Sequence, residues 1–581
     1  MYRTICADPN IDYLNAHIWP YNWGWVHPES LADDLPTAIR NTADYLRPHL
    51  HIAQDLAKPL VIEEFGFPRD EMKCNPGSAT TARDTYYSYI FSQVKTEPLI
   101  AGCNFWGWGG YARPNHNQWQ VGDDYTGDPA QEPQGLNSVF VSDKTTLAVI
   151  QRGGTYRVSV TDIPVEQSRV YDEHPSFTVT VENSGNEKTE AEVQLRIDTD
   201  TKEYVTTLSR RAKIAANTTQ AVVLQAKKPL SPGFYRATCI VNCEIVHSFV
   251  FAVQPTRIVS APDKQPDFDA FWAAAKQQLE SIPMNATLTE IPSHSTANRK
   301  VWLVEMQSVP DGLTGEPVII RGYYAEPRDG KKHPVLIHYQ GYDSGYRPGT
   351  DGNVPWCLHG DGEPRYAEFI LSTRGQMVNN RPAQDRDDGI QKDFTNTYGD
   401  WFAFNFGDKD RYYYRGAFMD CVQAIRFMAT RPTSDMNNLF GEGQSQGGAF
   451  TYAAAALSDY PFRAIAPGIA FLGDYPDYFR TAHWPACVAR EQQAKLGLTD
   501  EDLFAFLSYF DTKNLATAIA CPTLACIGLM DDVCPPHTNV APFNNLASTE
   551  KHLIVNPELG HKAAADWYSV FMRFFADHIE E

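Results

Sequence analysis

The sequence predicts a multidomain chain of three units. A portion of a (β/α)8 barrel spans 1–150, an all-β sandwich of immunoglobulin type spans 151–256, and a doubly wound α/β unit spans 257–581. Three observations carry this reading. The chain has 581 residues, more than one core organises. Strand and helix signals alternate in the first and last segments, which indicates parallel βα units. Between about Gly154 and Gln254 the helical period disappears and β-branched, alternating runs take over.

In the first unit, Tyr13 to Ile18 is a short apolar run ending in the aromatic cluster Trp19 to Trp25. A helix from Leu31 to about Leu56 leads to the strand Pro59 to Gly66, and a helix from Asp84 to Val94 leads to the strand Leu99 to Trp106. Polar and aromatic residues gather at the C-terminal ends of these strands, where βα barrels place their chemistry. In the second unit, Phe177–Glu182, Ala191–Ile197, Gln220–Leu224 and Phe234–Ile240 read as strands, punctuated by Asn183-Ser-Gly-Asn186 and Ser231-Pro-Gly233 as turns. No catalytic constellation lies there; the unit spaces or orients its neighbours, or binds sugar through a surface aromatic. In the third unit, Val335–Tyr339, Ala367–Thr373, Asn438–Glu442, Leu524–Gly528 and His552–Val555 are strands. Helices are expected over Arg415–Ala429 and Ala563–Ile579, with a mostly helical lid insertion over Tyr478–Phe510.

Composition narrows the function. Lys+Arg 50 against Asp+Glu 71 leaves a net charge of −21, which repels phosphate backbones and anionic lipid, so neither nucleic acid nor a membrane surface is the expected partner. No apolar run approaches the roughly 20 residues of a membrane span. Met1-Tyr-Arg-Thr-Ile has neither a long apolar stretch nor a small-residue cleavage site, so no signal peptide is read in this chain. The 11 cysteines form no C-x-x-C pair and no zinc-type cluster, which argues against a structural metal site. Cys239 and Cys243 stand four apart in a strand, beyond the ~7 Å that a disulfide spans.

The strongest motif is Gly443-Gln-Ser445-Gln-Gly447-Gly448, between the strand Leu439-Phe-Gly-Glu and the helical run Ala449-Phe-Thr-Tyr-Ala-Ala-Ala-Ala. Strand, tight turn and helix in that order form a nucleophile elbow, where glycines let the backbone turn sharply and expose the serine Oγ. A serine nucleophile needs a base and an orienting carboxylate, and in the α/β-hydrolase they follow in the order Ser, Asp, His. Asp531 and Asp532 come after the strand Leu524–Gly528, and His561 after the strand His552–Val555. The backbone N–H of Gln446, the residue after the nucleophile, is one oxyanion donor; the second comes from the loop Gln340-Gly341-Tyr342. Arg374 reads either as a tie between loops or as a substrate contact, and the tie is favoured because a neutral ester requires no cation.

Arg374-Gly375-Gln376, the elbow and the late His561 are similar to the signature set of carbohydrate esterase family seven, the acetyl xylan esterases and cephalosporin C deacetylases. Pro266-Asp-Phe-Asp-Ala-Phe-Trp272 resembles the N-terminal helix of that family, and Met530-Asp-Asp-Val-Cys-Pro-Pro536 its acid loop. The resemblance covers about Pro262 to Glu581. Aligned on Cys534-Pro-Pro536, it implies that the acid is Asp531 and the second oxyanion donor Tyr342. It also implies a ring-like hexamer. Where the family has His-Glu, this chain has His561-Lys562.

Glu63-Glu64-Phe-Gly66 sits at a strand end among aromatics. From Ile11 to Ile150 the chain resembles the second half of a glycoside hydrolase family five β-mannanase, through His17-Ile-Trp-Pro-Tyr-Asn-Trp-Gly-Trp25, Glu64-Phe-Gly66 and Asn104-Phe-Trp-Gly-Trp-Gly-Gly110. The resemblance implies Glu64 as nucleophile, His17 as a supporting residue and Trp106 as a sugar platform. A retaining glycosidase needs two carboxylates about 5 Å apart, and no Asn-Glu-Pro stands upstream of Glu64 to supply the acid. The expected protein is thus a serine esterase that deacetylates hemicellulose oligosaccharides or polysaccharide, joined to an incomplete mannanase unit. It uses no cofactor and no metal, and in its full-length form is secreted or periplasmic. The alternatives are a glycan-binding protein with a non-catalytic barrel remnant, and a serine peptidase of prolyl oligopeptidase type, whose usual β-propeller is missing from the sequence.

Overall fold

The structure is a computed structural model that describes residues 2–154, 158–163, 168–183, 188–242, 244–342, 365–378 and 398–580. In the first unit, β1 (Leu14–Ile18), α1 (Leu31–Leu56), β2 (Leu60–Phe65), α2 (Thr81–Thr96) and β3 (Ile100–Phe105) alternate, and a further helix, α3, runs from Lys144 to Gly154. The strands form a parallel three-stranded sheet in the order β1-β2-β3. Leu31, Ala38, Leu46 and Ala53 lie on one face of α1, and together with Tyr86, Tyr87 and Ile90 of α2 they cover Leu14, Leu60, Ile62 and Phe65. The loops beyond β2 and β3 are held by buried charge: Asp143 accepts from Arg69 Nη1 at 2.8 Å and Nη2 at 2.5 Å. This is half-barrel architecture.

The second unit has two sheets over one apolar core. Strands β4 (Val158–Asp162), β5 (Val170–Tyr171), β6 (Ser176–Asn183), β7 (Thr189–Thr199), β8 (Tyr204–Ile214), β9 (Thr218–Gln225), β10 (Gly233–Val241) and β11 (Glu244–Val253) are divided between them. One sheet has the order β8-β7-β10-β11-β5 and the other β9-β6-β4. Phe177, Val193, Leu195, Val222, Cys239 and Phe251 meet between them. Part of the expected turn Asn183-Ser-Gly-Asn186 and Cys243 lie outside the described residues, while Cys239 is a buried free thiol.

The third unit opens with α4 (Phe268–Ser281) and three strands the sequence reading did not single out or name as strands, β12 (Thr287–Glu290), β13 (Arg299–Pro310) and β14 (Pro317–Pro327). Then follow β15 (His333–Tyr339), β16 (Ala367–Ser372), α5 (Tyr413–Ala429), β17 (Ser434–Gln444), α6 (Gln446–Leu457) and β18 (Ala464–Gly468). The insertion contributes α7 (Tyr475–Thr481), α8 (Ala486–Leu496), α9 (Asp500–Ser508) and α10 (Thr512–Ala516). Last come β19 (Thr523–Gly528), α11 (Pro536–Asn544), β20 (Lys551–Asn556) and α12 (Trp567–Ala576). The final helix is shorter than the expected Ala563–Ile579, because Ala565 and Asp566 are exposed and Trp567 is the first side chain of the segment to be buried.

These strands form one nine-stranded sheet in the order β12-β13-β14-β16-β15-β17-β18-β19-β20. Its first pairs are antiparallel and the rest, from β16 onward, are parallel. Successive residues feed opposite layers, as strand geometry requires. Ile337 and Leu439 face the layer of α5 and α6, whereas Leu336 and Phe440 face α12. That is the doubly wound α/β-hydrolase arrangement, in which loops at the C-terminal ends of the parallel strands share one edge. The sandwich abuts this unit through an apolar cluster of Phe234, Val250 and Ala252 with Ile527, Leu529 and Val540. On its other side α2 packs along β11. Among the described residues no helix is long and apolar enough to cross a membrane.

Candidate functional site

Ser445 stands between the end of β17 and the start of α6 with φ 59° and ψ −122°, a conformation costly for a residue with a Cβ. The turn is crowded on every side. A Cβ at Gly443 would lie 2.4 Å from the Gly447 carbonyl oxygen, and one at Gly447 would lie 2.1 Å from that of Tyr339. Glycine at both positions lets β17, the turn and α6 pass beside β15. The Ser445 N–H donates to the Gly468 carbonyl at 3.0 Å, and its carbonyl accepts from Phe471 N–H at 3.0 Å. The serine is thereby clamped to β18 and the segment that follows.

The structure brings Ser445, His561 and Asp531 together. His561, in the loop after β20, sets Nε2 2.9 Å from Ser445 Oγ and Nδ1 2.9 Å and 3.1 Å from the two oxygens of Asp531. A carboxylate at Nδ1 assigns the proton to that nitrogen and leaves Nε2 as the acceptor facing the serine. Asp531 Oδ1 also accepts the N–H groups of Val533 at 3.0 Å and Cys534 at 2.8 Å, and its side chain is fully buried. Asp532 beside it is exposed. The acid and base loops are joined by Met530 N–H donating to the Leu559 carbonyl at 3.0 Å.

Gln446 opens α6, so its N–H is one of the unpaired donors at a helix start. Its side chain is buried, and Oε1 accepts from Tyr414 at 2.9 Å. Tyr342 follows β15, the neighbour of β17. Its loop is fixed by Gln376, whose Nε2 donates to the Gly341 carbonyl at 2.7 Å, and by Gln340, which donates to the Leu371 carbonyl at 3.0 Å. The Tyr342 hydroxyl donates to Asp400 at 3.0 Å and accepts from Trp401 N–H at 3.1 Å, so the ring is anchored away from its own backbone.

Arg374 is buried behind the site. Its Nε and Nη2 donate to Asp420 at 2.9 Å and 2.7 Å, and Nη1 and Nη2 to the carbonyls of Pro310 and Val309. Burial pulls the guanidinium pKa down, and the Asp420 carboxylate more than reverses it. Gly375 has φ +84°, and a Cβ there would lie 2.9 Å from Trp401 Nε1. The sequence reading missed Asp420; its only signal was a lone acid between Phe418-Met419 and Cys421-Val422 in an apolar helix. Also missed was the aromatic wall that the insertion adds, with Trp484 stacked on Phe471 at 5.2 Å and 15° and set against Tyr342 at 5.1 Å.

At the half-barrel, a bulge in the β1–β2 pairing sets His17 opposite Glu64. His17 Nδ1 is 3.3 Å from Glu64 and Nε2 is 3.5 Å from Glu63. Trp19 Nε1 donates to Glu64 at 3.3 Å, and Trp106 meets Trp19 edge-on at 6.3 Å. Glu63 accepts from Asn15 and from Tyr13, both at 2.9 Å, and these hydrogen bonds hold its pKa below the usual carboxylate value. Elsewhere, Asp474, Asp477 and His537 have ligand atoms within 4.8 Å of one another. Their charges are met from within the protein, since Lys513 Nζ lies 2.9 Å from Asp474 and Arg480 3.2 Å from Asp477.

Comparison with known proteins agrees with both resemblances. The family model for acetyl xylan esterase (AXE1) matches residues 257–578, and a GH family 5 beta-mannosidase-like model matches residues 1–160. Acetyl esterase Axe7A of Xylanibacter ruminicola is 25% identical over 325 residues, covering 56% of this chain and 70% of that protein. An acetyl xylan esterase from Paenibacillus sp. R4 is 26% identical over 56% of this chain and 99% of that one, with a TM-score of 0.47. A glycoside hydrolase family 5 mannosidase from Rhizomucor miehei is 33% identical over 25% of this chain and 37% of that one, with a TM-score of 0.23.

Proposed function

The chain belongs to the acetyl xylan esterase (AXE1) family, and from that premise we propose that it releases acetate from acetylated hemicellulose by a Ser445–His561–Asp531 mechanism. The observation that carries the reading is the unbroken contact of 2.9 Å on each side of His561. Ser445 Oγ attacks the acetyl carbonyl while His561 Nε2 takes its proton. The imidazolium is steadied by Asp531 at Nδ1, and its Nε2 proton then passes to the departing sugar oxygen. Water, deprotonated by the same nitrogen, hydrolyses the acetyl-enzyme. Backbone N–H groups of Gln446 and Tyr342 stabilise the oxyanion, each contributing roughly 3 kcal/mol. These steps use the chain's own groups, with no cofactor and no metal.

The mannosidase-like segment favours acetylated mannan over xylan as the natural substrate. Hemicellulose polymers are extracellular, which supports a secreted or periplasmic site of action. Two sheets over one core support the reading of the middle unit, 151–256, as an immunoglobulin-type spacer between the barrel portion at 1–150 and the esterase at 257–581. Glu64 is the counterpart of a glycosidase nucleophile, with His17 beside it and Trp106 as platform. Trp108 and Tyr111, 54% and 86% exposed beyond β3, favour glycan binding as what this segment still does. Acetate release from acetylated oligosaccharides and from p-nitrophenyl acetate tests the esterase. It is expected from the intact chain and abolished by Ser445→Ala; turnover retained in that variant sinks the assignment.

A further inference from the structure

The sandwich meets the esterase unit at a polar junction that leads, contact by contact, to the acid loop. In the hairpin between β7 and β8, Asp200 Oδ2 lies 3.8 Å from Nδ1 of His537, in the first turn of α11. The other imidazole nitrogen lies 2.9 Å from Asp477 of α7. Arg480, on the same helix, joins Asp477 at 3.2 Å to Glu203 of the hairpin at 3.3 Å. The next residue after Asp477 is Tyr478, whose hydroxyl donates to the Val533 carbonyl at 2.6 Å. The N–H groups of Val533 and Cys534 in turn hold Asp531 Oδ1. A continuous path therefore runs from the sandwich through His537, α7 and Tyr478 to Asp531.

Resting on the reading of Asp531 as the acid of the triad, we propose that His537 is a positioning residue through which the sandwich hairpin sets the acid loop for catalysis. The carboxylates on both sides of the ring favour a cation at this point. A neutral imidazole can donate to Asp477 alone, whereas the imidazolium donates to Asp477 at 2.9 Å and also sets its positive charge 3.8 Å from Asp200, a charge contact beyond hydrogen-bonding distance. The charged groups facing it are Asp474, Asp477 and Arg480 from α7 and its N-cap, and Asp200 and Glu203 from the hairpin, with Lys513 neutralising Asp474 at 2.9 Å. Burial works against the charge on His537, but the Asp477 hydrogen bond and the nearby carboxylates outweigh it and raise its pKa. A raised histidine pKa gives a tie that is complete below the ordinary histidine value. The tie is lost as pH rises through the raised one.

The test is the kcat–pH profile of the full chain on p-nitrophenyl acetate for wild type, Asp200→Asn, His537→Gln, the pair combined, and Asp531→Asn. Asp200→Asn and His537→Gln are each expected to lower kcat about threefold to tenfold with KM within about twofold, and the pair to lose no more than His537→Gln alone, since one tie is cut once. The alkaline fall of kcat should vanish in His537→Gln and move to lower pH in Asp200→Asn. Additive losses, or both variants keeping the wild-type kcat and alkaline fall, overturn the proposal. If His537→Gln does not fold, Asp200→Asn decides it: an unmoved alkaline fall overturns the proposal. Asp531→Asn separates this from the underlying reading. Near-normal activity there sinks the triad itself, whereas a collapse there with silent hairpin variants sinks only the role of His537.

Discussion

Asp531 and Asp532 share a carboxylate and little else: the first is buried and holds His561, while the second points to solvent. Asp531→Asn should lower kcat by about 10³–10⁴-fold, because an amide that donates to Nδ1 forces the imidazole into the wrong tautomer. Asp532→Asn should stay within about twofold, as surface changes away from such features usually do. Steady-state kinetics on p-nitrophenyl acetate distinguish the two, and the reverse pattern would move the acid by one position. A different kind of dependence holds at Arg374. Removing its guanidinium strands the fully buried Asp420 carboxylate, which also accepts from Ser308 at 2.6 Å. Arg374→Ala should therefore cost about 3–5 kcal/mol of stability, read from denaturant unfolding. Loss of activity without loss of stability would favour a substrate contact instead.

The elbow is an element whose geometry depends on missing side chains. Gly447→Ala drives a Cβ to 2.1 Å from the Tyr339 carbonyl, a backbone atom of a central strand that has no room to retreat. The expected outcome is a drop of at least about 1–3 kcal/mol in stability together with lost esterase activity; a thermal melt unchanged from wild type would show that the turn relaxes freely. This element was legible because strand, glycines, serine and helix are contiguous in the chain. So were β2, β3, β15, β19 and β20, which are short apolar runs bounded by turn residues. Others were not. In β8, Tyr204 and Val205 are exposed and Arg210-Arg211 interrupt the pattern, and in β13 and β14 Lys300, Glu305 and Arg321 do the same. Such strands owe their place to pairing with neighbours rather than to their own composition. The site divides the same way. Ser445 and His561 follow from local motifs and order, but Asp420 and the Trp484 wall meet the site only through tertiary packing, which no spacing encodes.

At the scale of the whole molecule, the three units differ in how complete their chemistry is. The family resemblance implies a hexameric ring for the esterase, and light scattering at micromolar concentration tests it; a monomer removes it. The esterase unit has a closed core and all three members of its constellation within hydrogen-bonding distance. The main sheet of the half-barrel has three parallel strands, with a separate short parallel pair of Trp108–Gly110 and Val139–Phe140, and β1 and β3 each leave one edge without a strand partner among the described residues. A barrel of this class closes with eight. Its carboxylates are also mismatched to glycosidase chemistry. On the proposed reading of Glu64 as the counterpart of a nucleophile, Glu63 lies on the same strand, and its hydrogen bonds from Asn15 and Tyr13 favour its ionised form, the wrong one for a general acid. Without a general acid to protonate the leaving oxygen, glycosyl transfer to a nucleophile at Glu64 is expected to stall. The 581-residue chain should therefore release no measurable reducing sugar from β-mannan while it still releases acetate from acetylated oligosaccharides. Reducing sugar that appears with this chain and disappears in Glu64→Ala would refute the argument. Joining this segment to βα units that carry an Asn-Glu-Pro strand should give cleavage, because they would supply a barrel wall and a proton donor together.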